Sequence, residues 1–142
     1  MKRVTLALIS AAMLTAGAAF GNAADPTGVW RMESGKVTVK VADCGGKLCG
    51  KVVGLKKPLN KQGQPKTDKE NPNPALRKRA VIGITLMSNM KPDGANKWTG
   101  LIYNPDDGRT YSATMKLDGD RMKVKGCVIG LICQSKWFVR VE

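Results

Sequence analysis

The chain has 142 residues, with 24 lysines and arginines against 11 acidic residues and no histidine, which gives a net charge of +13. The absence of histidine excludes Ser-His-Asp and Cys-His catalysis and histidine metal ligands. Aromatic residues make up 5% of the chain, too few for an evident base-stacking surface, so we predict no nucleic-acid partner. No catalytic, nucleotide, flavin or metal motif is present, and we therefore predict neither an enzyme nor a cofactor.

The first 23 residues have the organisation of a cleavable signal peptide. Lys2 and Arg3 precede an uncharged stretch rich in Ala and Leu, and small residues stand before the expected cleavage site after Ala23. Ala16-Gly17-Ala18 is a second candidate site. Because the leader contains no cysteine for acylation, we expect an exported protein, periplasmic or secreted, that is soluble after cleavage. Residues 24–142 are long enough for a single domain.

Alternation of apolar and polar residues dominates the rest of the chain and predicts half-buried antiparallel strands. Val37-Thr38-Val39-Lys40-Val41 is the clearest example, and turn residues such as Pro92-Asp93-Gly94 separate such segments. We predict eight strands, at residues 27–33, 36–42, 47–55, 81–90, 97–103, 109–117, 121–127 and 133–141. Short strands joined by hairpin turns indicate an all-β meander that closes into a barrel or folds as a sandwich.

Four cysteines lie at two of the predicted strand connections. Cys44 and Cys49 flank four residues, and Cys127 and Cys133 flank five. Of the three connectivities that four cysteines allow, we predict the two local pairings as disulfides. The spacings do not match a compact zinc knuckle, so we predict no metal site.

Residues 56–80 interrupt the strand pattern. They contain four of the seven prolines and are strongly basic. Loops of this length in a compact domain usually have a function or are disordered. We leave two interpretations open, a solvated crossover loop and a lid or anion-binding segment, and the candidate anion-binding residues are Lys69, Arg77, Lys78 and Arg79.

Two resemblances add to this interpretation. Gly28-Val29-Trp30 resembles the Gly-x-Trp signature of lipocalin-type barrels, in which the Trp packs across the closed end. Most of residues 24–142 also resemble a family of secreted bacterial proteins catalogued as domain of unknown function 2147. The segments that carry this resemblance are 44–50, 71–79, 98–111 and 133–137.

The family resemblance implies a lipocalin-like barrel, in agreement with the eight strands predicted from the pattern, but no activity. We therefore predict a small antiparallel eight-stranded lipocalin-like barrel with one long basic Pro-rich loop. Asn73 and Asn104 stand where the family leads us to expect Asp, and Ala80 where we expect Pro. In lipocalins a basic residue near the last strand covers the first-strand Trp, and Arg140 is the candidate here. Trp137 is three residues away, so the two should face opposite sides of a strand.

Two functions compete on this basis. The first is a binding protein for a small apolar or amphiphilic molecule, held by inward residues of the barrel. The predicted ligand-binding residues are Trp30, Val39, Val52, Ile84, Leu86, Ile102, Tyr111, Met115 and Trp137. The alternative is a basic module that has no internal ligand and binds an anionic envelope surface or a protein partner. A loop folded over the barrel mouth would favour the first, and a loop splayed into solvent the second.

Overall fold

A computed structural model of the chain describes Gly17 and residues 24–128 and 132–142. The predicted signal peptide lies outside these residues except for Gly17. Eight strands follow one another, and their bounds are β1 Gly28–Met32, β2 Val37–Asp43, β3 Leu48–Leu55, β4 Thr85–Pro92, β5 Lys97–Asn104, β6 Arg109–Asp118, β7 Arg121–Val128 and β8 Ile132–Arg140. Within the described residues, no helix has the length and apolarity needed to cross a membrane.

The eight strands form a closed antiparallel barrel in which each strand pairs with its sequence neighbours and β1 pairs with β8. The all-β prediction and the eight-stranded barrel are therefore confirmed, and the sandwich alternative is wrong. The alternation seen in the sequence explains the packing, because the alternate residues Val37, Val39 and Val41 of β2 and Ala113, Met115 and Leu117 of β6 are buried inside the barrel.

Strand β4 begins later than predicted, at Thr85 instead of residue 81. Gly83 has a φ of +103°, a backbone conformation that interrupts an extended strand. Val81 and Ile84 are nevertheless buried, and the Ile84 carbonyl accepts a hydrogen bond from the Val52 amide. The apolar pattern of residues 81–84 thus marks core contacts of the connection between β3 and β4, not a strand.

One end of the barrel, which we call the closed end, is sealed by Trp30. Its side chain is fully buried, and the indole Nε1 donates a hydrogen bond to the Pro26 carbonyl at 2.9 Å. The Arg140 guanidinium lies 4.3 Å from the centre of the Trp30 ring and donates to the carbonyls of Thr27 and Asp25. This contact agrees with what the lipocalin resemblance implies for Arg140.

Both predicted disulfide pairings are present, Cys44 with Cys49 and Cys127 with Cys133. The first joins the ends of β2 and β3 across their turn. The second joins β7 and β8, whose register places Cys127 directly opposite Cys133. Each disulfide therefore fixes a hairpin that the strand pairing already defines.

Candidate functional site

A cavity of about 370 Å³ opens at the end of the barrel opposite Trp30, which we call the open end. β1, β5, β6, β7 and β8 contribute its walls. The apolar part of the lining consists of Met32, Ile102, Val124, Val128, Ile132 and Phe138. Gly126 also lines it, and its missing side chain makes room for Ile102, because a Cβ at Gly126 would lie 3.3 Å from Ile102 Cγ2. The volume lies near the lower limit for small-molecule sites.

Five polar side chains lie on the same lining: Asn104, Asp107, Tyr111, Gln134 and Lys136. The Tyr111 hydroxyl donates a hydrogen bond to Asp107 Oδ2, and the Arg109 amide donates to Asp107 Oδ1. The hydrogen bond between Tyr111 and Asp107 raises the pKa of Tyr111. Partial burial favours a higher pKa for Asp107, but the bonds from Tyr111 and Arg109 outweigh it and lower that pKa. At neutral pH the pair is a phenol donating to a carboxylate.

The parity of β8 places its even-numbered residues inside the barrel. Phe138 is buried in the core and pairs with Met122, which is also buried. Lys136 pairs with the buried Val124, and Gln134 pairs with Gly126. Lys136 and Gln134 therefore belong to the inner face at the level of the cavity.

The predicted ligand-binding residues divide into three groups. Ile102 and Tyr111 line the cavity. A second group packs in the barrel core or against it without lining the cavity: Trp30, Val39, Val52, Ile84, Leu86 and Met115. Whether an inward residue borders empty space depends on the sizes and shapes of the side chains around it. The alternation of apolar and polar residues does not reveal this.

Trp137 is the exception, and its predicted inward orientation is wrong. Its cross-strand partner is Lys123, and its ring lies 4.1 Å from the Arg121 guanidinium carbon on the outer surface. Placing Trp137 inside the barrel assigns the even-numbered residues of β8 to the outer face. The prediction therefore omitted Gln134, Lys136 and Phe138 from the barrel interior. The expected contact of Arg140 with Trp30 contained the signal that would have found them, since Arg140 shares their parity.

The connection between β3 and β4 is anchored to the outer wall by Asp68. This side chain is fully buried, accepts a hydrogen bond from the Tyr103 hydroxyl at 2.6 Å, and also accepts from Asn71 at 2.8 Å. The Arg79 guanidinium completes the cluster at 2.9 Å. Gly108 touches the same connection, because a Cβ there would lie 1.9 Å from the Glu70 carbonyl oxygen.

Burial of the Asp68 carboxyl favours a higher pKa, but hydrogen bonds from Tyr103, Asn71 and Arg79 outweigh it and lower the pKa. Burial and the bond to Asp68 raise the pKa of Tyr103 to about 12. The carboxylate is thus held ionised by donors that surround it. This arrangement stabilises the loop and occupies both oxygens of the Asp68 carboxylate.

The candidate anion-binding residues of this connection have different environments. Arg79 bonds to Asp68, and Arg77 Nε donates to the Asn71 carbonyl at 2.8 Å. Lys69 and Lys78 are exposed. No residue from 56 to 84 is part of the described cavity lining, so the connection is not a lid over the cavity. It is not splayed into solvent either, because Asp68 attaches it to Tyr103 of β5. Its anion-binding role stays a prediction.

No metal centre is formed by the part of the chain that the structure describes, since no three Cys, Asp or Glu side chains converge there. The open end is an apolar cavity bordered by one lysine, one glutamine, one asparagine and one tyrosine-carboxylate pair. Such a site binds a molecule by shape, hydrogen bonds and charge.

Comparison with known structures supports the fold. HP1028 from the human pathogen Helicobacter pylori, described as belonging to the lipocalin family, superimposes with a TM-score of 0.72. The two proteins are 21% identical, and the match covers 83% of this chain and 84% of that one. No curated protein matches the chain. The family model for an uncharacterized protein conserved in bacteria, DUF2147, matches residues 28–140, and the chain therefore belongs to this family.

Proposed function

We propose that this is an exported bacterial envelope protein that binds a small apolar or amphiphilic molecule in the cavity at the open end. The observation that carries this proposal is the cavity itself, whose apolar walls end at a few converging polar groups. Most small-molecule sites have this construction, in which the apolar walls supply affinity and the polar groups fix orientation. The proposed role is binding without catalysis.

Export is part of the proposal and rests on two features. The first 23 residues have the pattern of a signal peptide. The two disulfides are of the kind that persists in oxidising compartments outside the cytosol. An envelope location would bring the cavity near lipids and their breakdown products, which are amphiphilic.

Filling the cavity tests the proposal. In Gln134→Trp the indole would lie over Gly126, its cross-strand partner, and would fill space beside Ile102 and Tyr111, which line the cavity. We expect this variant to fold and to bind the neutral fluorescent probe N-phenyl-1-naphthylamine at least about tenfold more weakly than the wild type, because the probe loses most of its apolar contact area. Fluorescence titration of the purified protein measures the affinity.

The matched control is Ser135→Trp, which adds the same side chain to the outer face of the same strand. It should leave probe binding unchanged. Organic extraction of protein purified after export, followed by mass spectrometry, should also release a bound amphiphile. An empty extract together with equal probe binding by both tryptophan variants would count against a ligand cavity.

A second candidate function is supported by a row of lysines on the outer wall. Lys97 lies directly opposite Lys116 on β6, and Lys116 lies directly opposite Lys123 on β7. Lys97 Nζ lies 3.5 Å from Asp93 Oδ2. Within the described residues, no carboxylate lies within 4 Å of the ammonium groups of Lys116 and Lys123. Like charges directly opposite each other destabilise a sheet, and here they continue across three adjacent strands, so the row suggests an anionic partner such as the envelope surface.

We expect replacement of the two unpaired lysines, Lys116→Gln with Lys123→Gln, to weaken sedimentation with phosphatidylglycerol vesicles by about tenfold at low salt. The control carries Lys40→Gln and Lys51→Gln, a cross-strand lysine pair on β2 and β3 on the other side of the barrel. It removes the same charge and should weaken binding less. If the wild type does not sediment with the vesicles, or if salt leaves its binding unchanged, this candidate fails.

A further inference from the structure

Lys136 is a cation on the inner face of the barrel, flanked along its strand by cavity residues. Phe138 lies on the side toward the core, and Gln134 on the side toward the open end. Its cross-strand partner Val124 is buried. A lysine in this position requires a physical reason, because burying an ammonium group without a partner is costly.

The strand pairing explains how the lysine is tolerated when the cavity is empty. β1 pairs with β8 only as far as Met32, which lies opposite Phe138. Beyond that point β8 has no strand on its β1 side, and the Lys136 side chain is exposed to solvent through the opening. The ammonium group therefore stays hydrated, while its methylene groups lie along the apolar wall.

The other charged group on the lining already has its partners. Both oxygens of Asp107 accept hydrogen bonds, one from the Tyr111 hydroxyl and the other from the Arg109 amide. Within the described residues, no carboxylate lies within 4 Å of Lys136. The Asp107 carboxylate keeps its charge but has donors on both oxygens, whereas the Lys136 ammonium has no carboxylate partner and is left to pair with a ligand. The Gln134 amide is a neighbouring hydrogen-bond donor.

The size of the cavity limits the rest of the ligand. At about 370 Å³ it lies near the lower end of small-molecule sites, which fits one alkyl chain or one small ring system better than a lipid with two chains. The apolar lining on both sides of Lys136 suits a chain that carries a single charged head group.

We propose that the ligand is a single-chain amphiphile with an anionic head group, a carboxylate or a phosphate monoester, and that Lys136 is the residue that selects this charge. The inference rests on the proposed function of the same cavity. The head group would replace water at the Lys136 ammonium and at the Gln134 amide. The alkyl chain would cover the walls formed by residues such as Ile102, Val124 and Phe138.

The test compares ligands that share a chain and differ in head group. Decanoate, decyl phosphate, decanol and decyltrimethylammonium would each compete with N-phenyl-1-naphthylamine for the full exported protein at neutral pH. We expect at least one of the two anions to bind about tenfold more tightly than decanol, since a charge-assisted hydrogen bond is stronger than a neutral one. The relative affinities of decanoate and decyl phosphate identify the preferred anion.

Lys136→Gln should remove this preference, so that the anion and decanol bind alike when each is compared with the variant's own affinity for the probe. Lys125→Gln is the matched control, because Lys125 is exposed on the outer face of the adjacent β7 and its loss changes the net charge equally. It should retain the preference. A preference that survives in Lys136→Gln overturns the inference.

Two further results separate this inference from the proposed function. If the anions and decanol bind the wild type equally, or if decyltrimethylammonium binds best, charge selection by Lys136 is wrong while the ligand cavity stands. If the probe and all four compounds fail to bind, the ligand cavity itself is wrong, and the head-group inference falls with it.

Discussion

Replacement of Trp30 by Ala should lower the free energy of unfolding by about 3–5 kcal/mol, the cost typical of truncating a buried aromatic residue. The side chain is fully buried, so the substitution leaves a cavity at the closed end. It also leaves the Pro26 carbonyl without its indole donor and removes the ring that the Arg140 guanidinium covers. Because small domains have about 5–15 kcal/mol in total, this variant should be close to unfolding.

Urea unfolding followed by far-ultraviolet circular dichroism measures this effect without depending on tryptophan fluorescence. Trp137→Ala is the control of the same residue type. Its ring contacts Arg121 and Lys123 on the outer surface, where a cation-aromatic contact contributes about 0.5–1 kcal/mol. Trp30→Phe, which retains most of the packing, gives a measurable value if Trp30→Ala does not fold. Equal losses for Trp30→Ala and Trp137→Ala would contradict the orientation of both strands.

Asp68→Asn should cost about 2–3 kcal/mol, the range for hydrogen bonds to a charged group. The substitution keeps the size of the side chain but presents an amide nitrogen to Asn71 and Arg79, which are already donors. The Arg79 side chain is 39% exposed, and water can replace part of its contact, so the cost should stay below that of a fully buried ion pair.

Asp106→Asn is the matched control for this prediction. Asp106 forms an ion pair with Lys36 in which both side chains are more than half exposed. Exposed pairs contribute little, so the same substitution there should change the free energy of unfolding by less than about 1 kcal/mol. If both variants unfold at the same urea concentration as the wild type, Asp68 does not anchor the connection between β3 and β4.

The contribution of Asp68 should also depend on pH, in a direction set by its lowered pKa. In the unfolded chain an Asp has a pKa of about 3.9. Stability from a carboxylate with a lower folded pKa is fully present above that value and disappears as the pH falls through the folded pKa. The difference between the wild type and Asp68→Asn should therefore be constant near neutral pH and shrink in acid.

Tyr103, which donates to Asp68, should make the free energy of unfolding depend on pH in the alkaline range. The pKa of Tyr103 is raised to about 12, so its contribution is complete below about 10 and is lost as the pH rises through 12. Wild-type protein should lose stability in this alkaline range more steeply than Tyr103→Phe. Urea midpoints of the two proteins at several pH values measure the difference.

The strands and the barrel could be predicted because the alternation of apolar and polar residues indicates directly which face of each strand is buried. Val39 and Met115 are buried where the alternating pattern places them. The cysteine pairing followed from the same pattern, since each pair flanks a turn between neighbouring strands. The cavity could not be predicted in the same way, because inward orientation does not distinguish a packed side chain from one that borders empty space.

The missed residues of β8 have a specific physical reason. Lys136 and Gln134 are polar, and a polar residue on a half-buried strand is normally assigned to solvent. Here the opposite face of β8 carries Trp137, which is apolar enough to suggest the core. β8 extends past the end of β1, so its inner face reaches solvent there and accommodates polar residues. On its outer face, the Arg121 guanidinium packs over the Trp137 ring.

The order of the strands around the barrel has a consequence for how the chain reaches its native state. Every pairing joins sequence neighbours except the contact between β1 and β8, which closes the ring. The local hairpins can form early, because their loop-closure entropy is small, whereas the closing contact joins the most distant strands. Trp30 and Arg140 meet at that contact. A chain that lacks β8 would therefore leave two open sheet edges, and both are sites for aggregation.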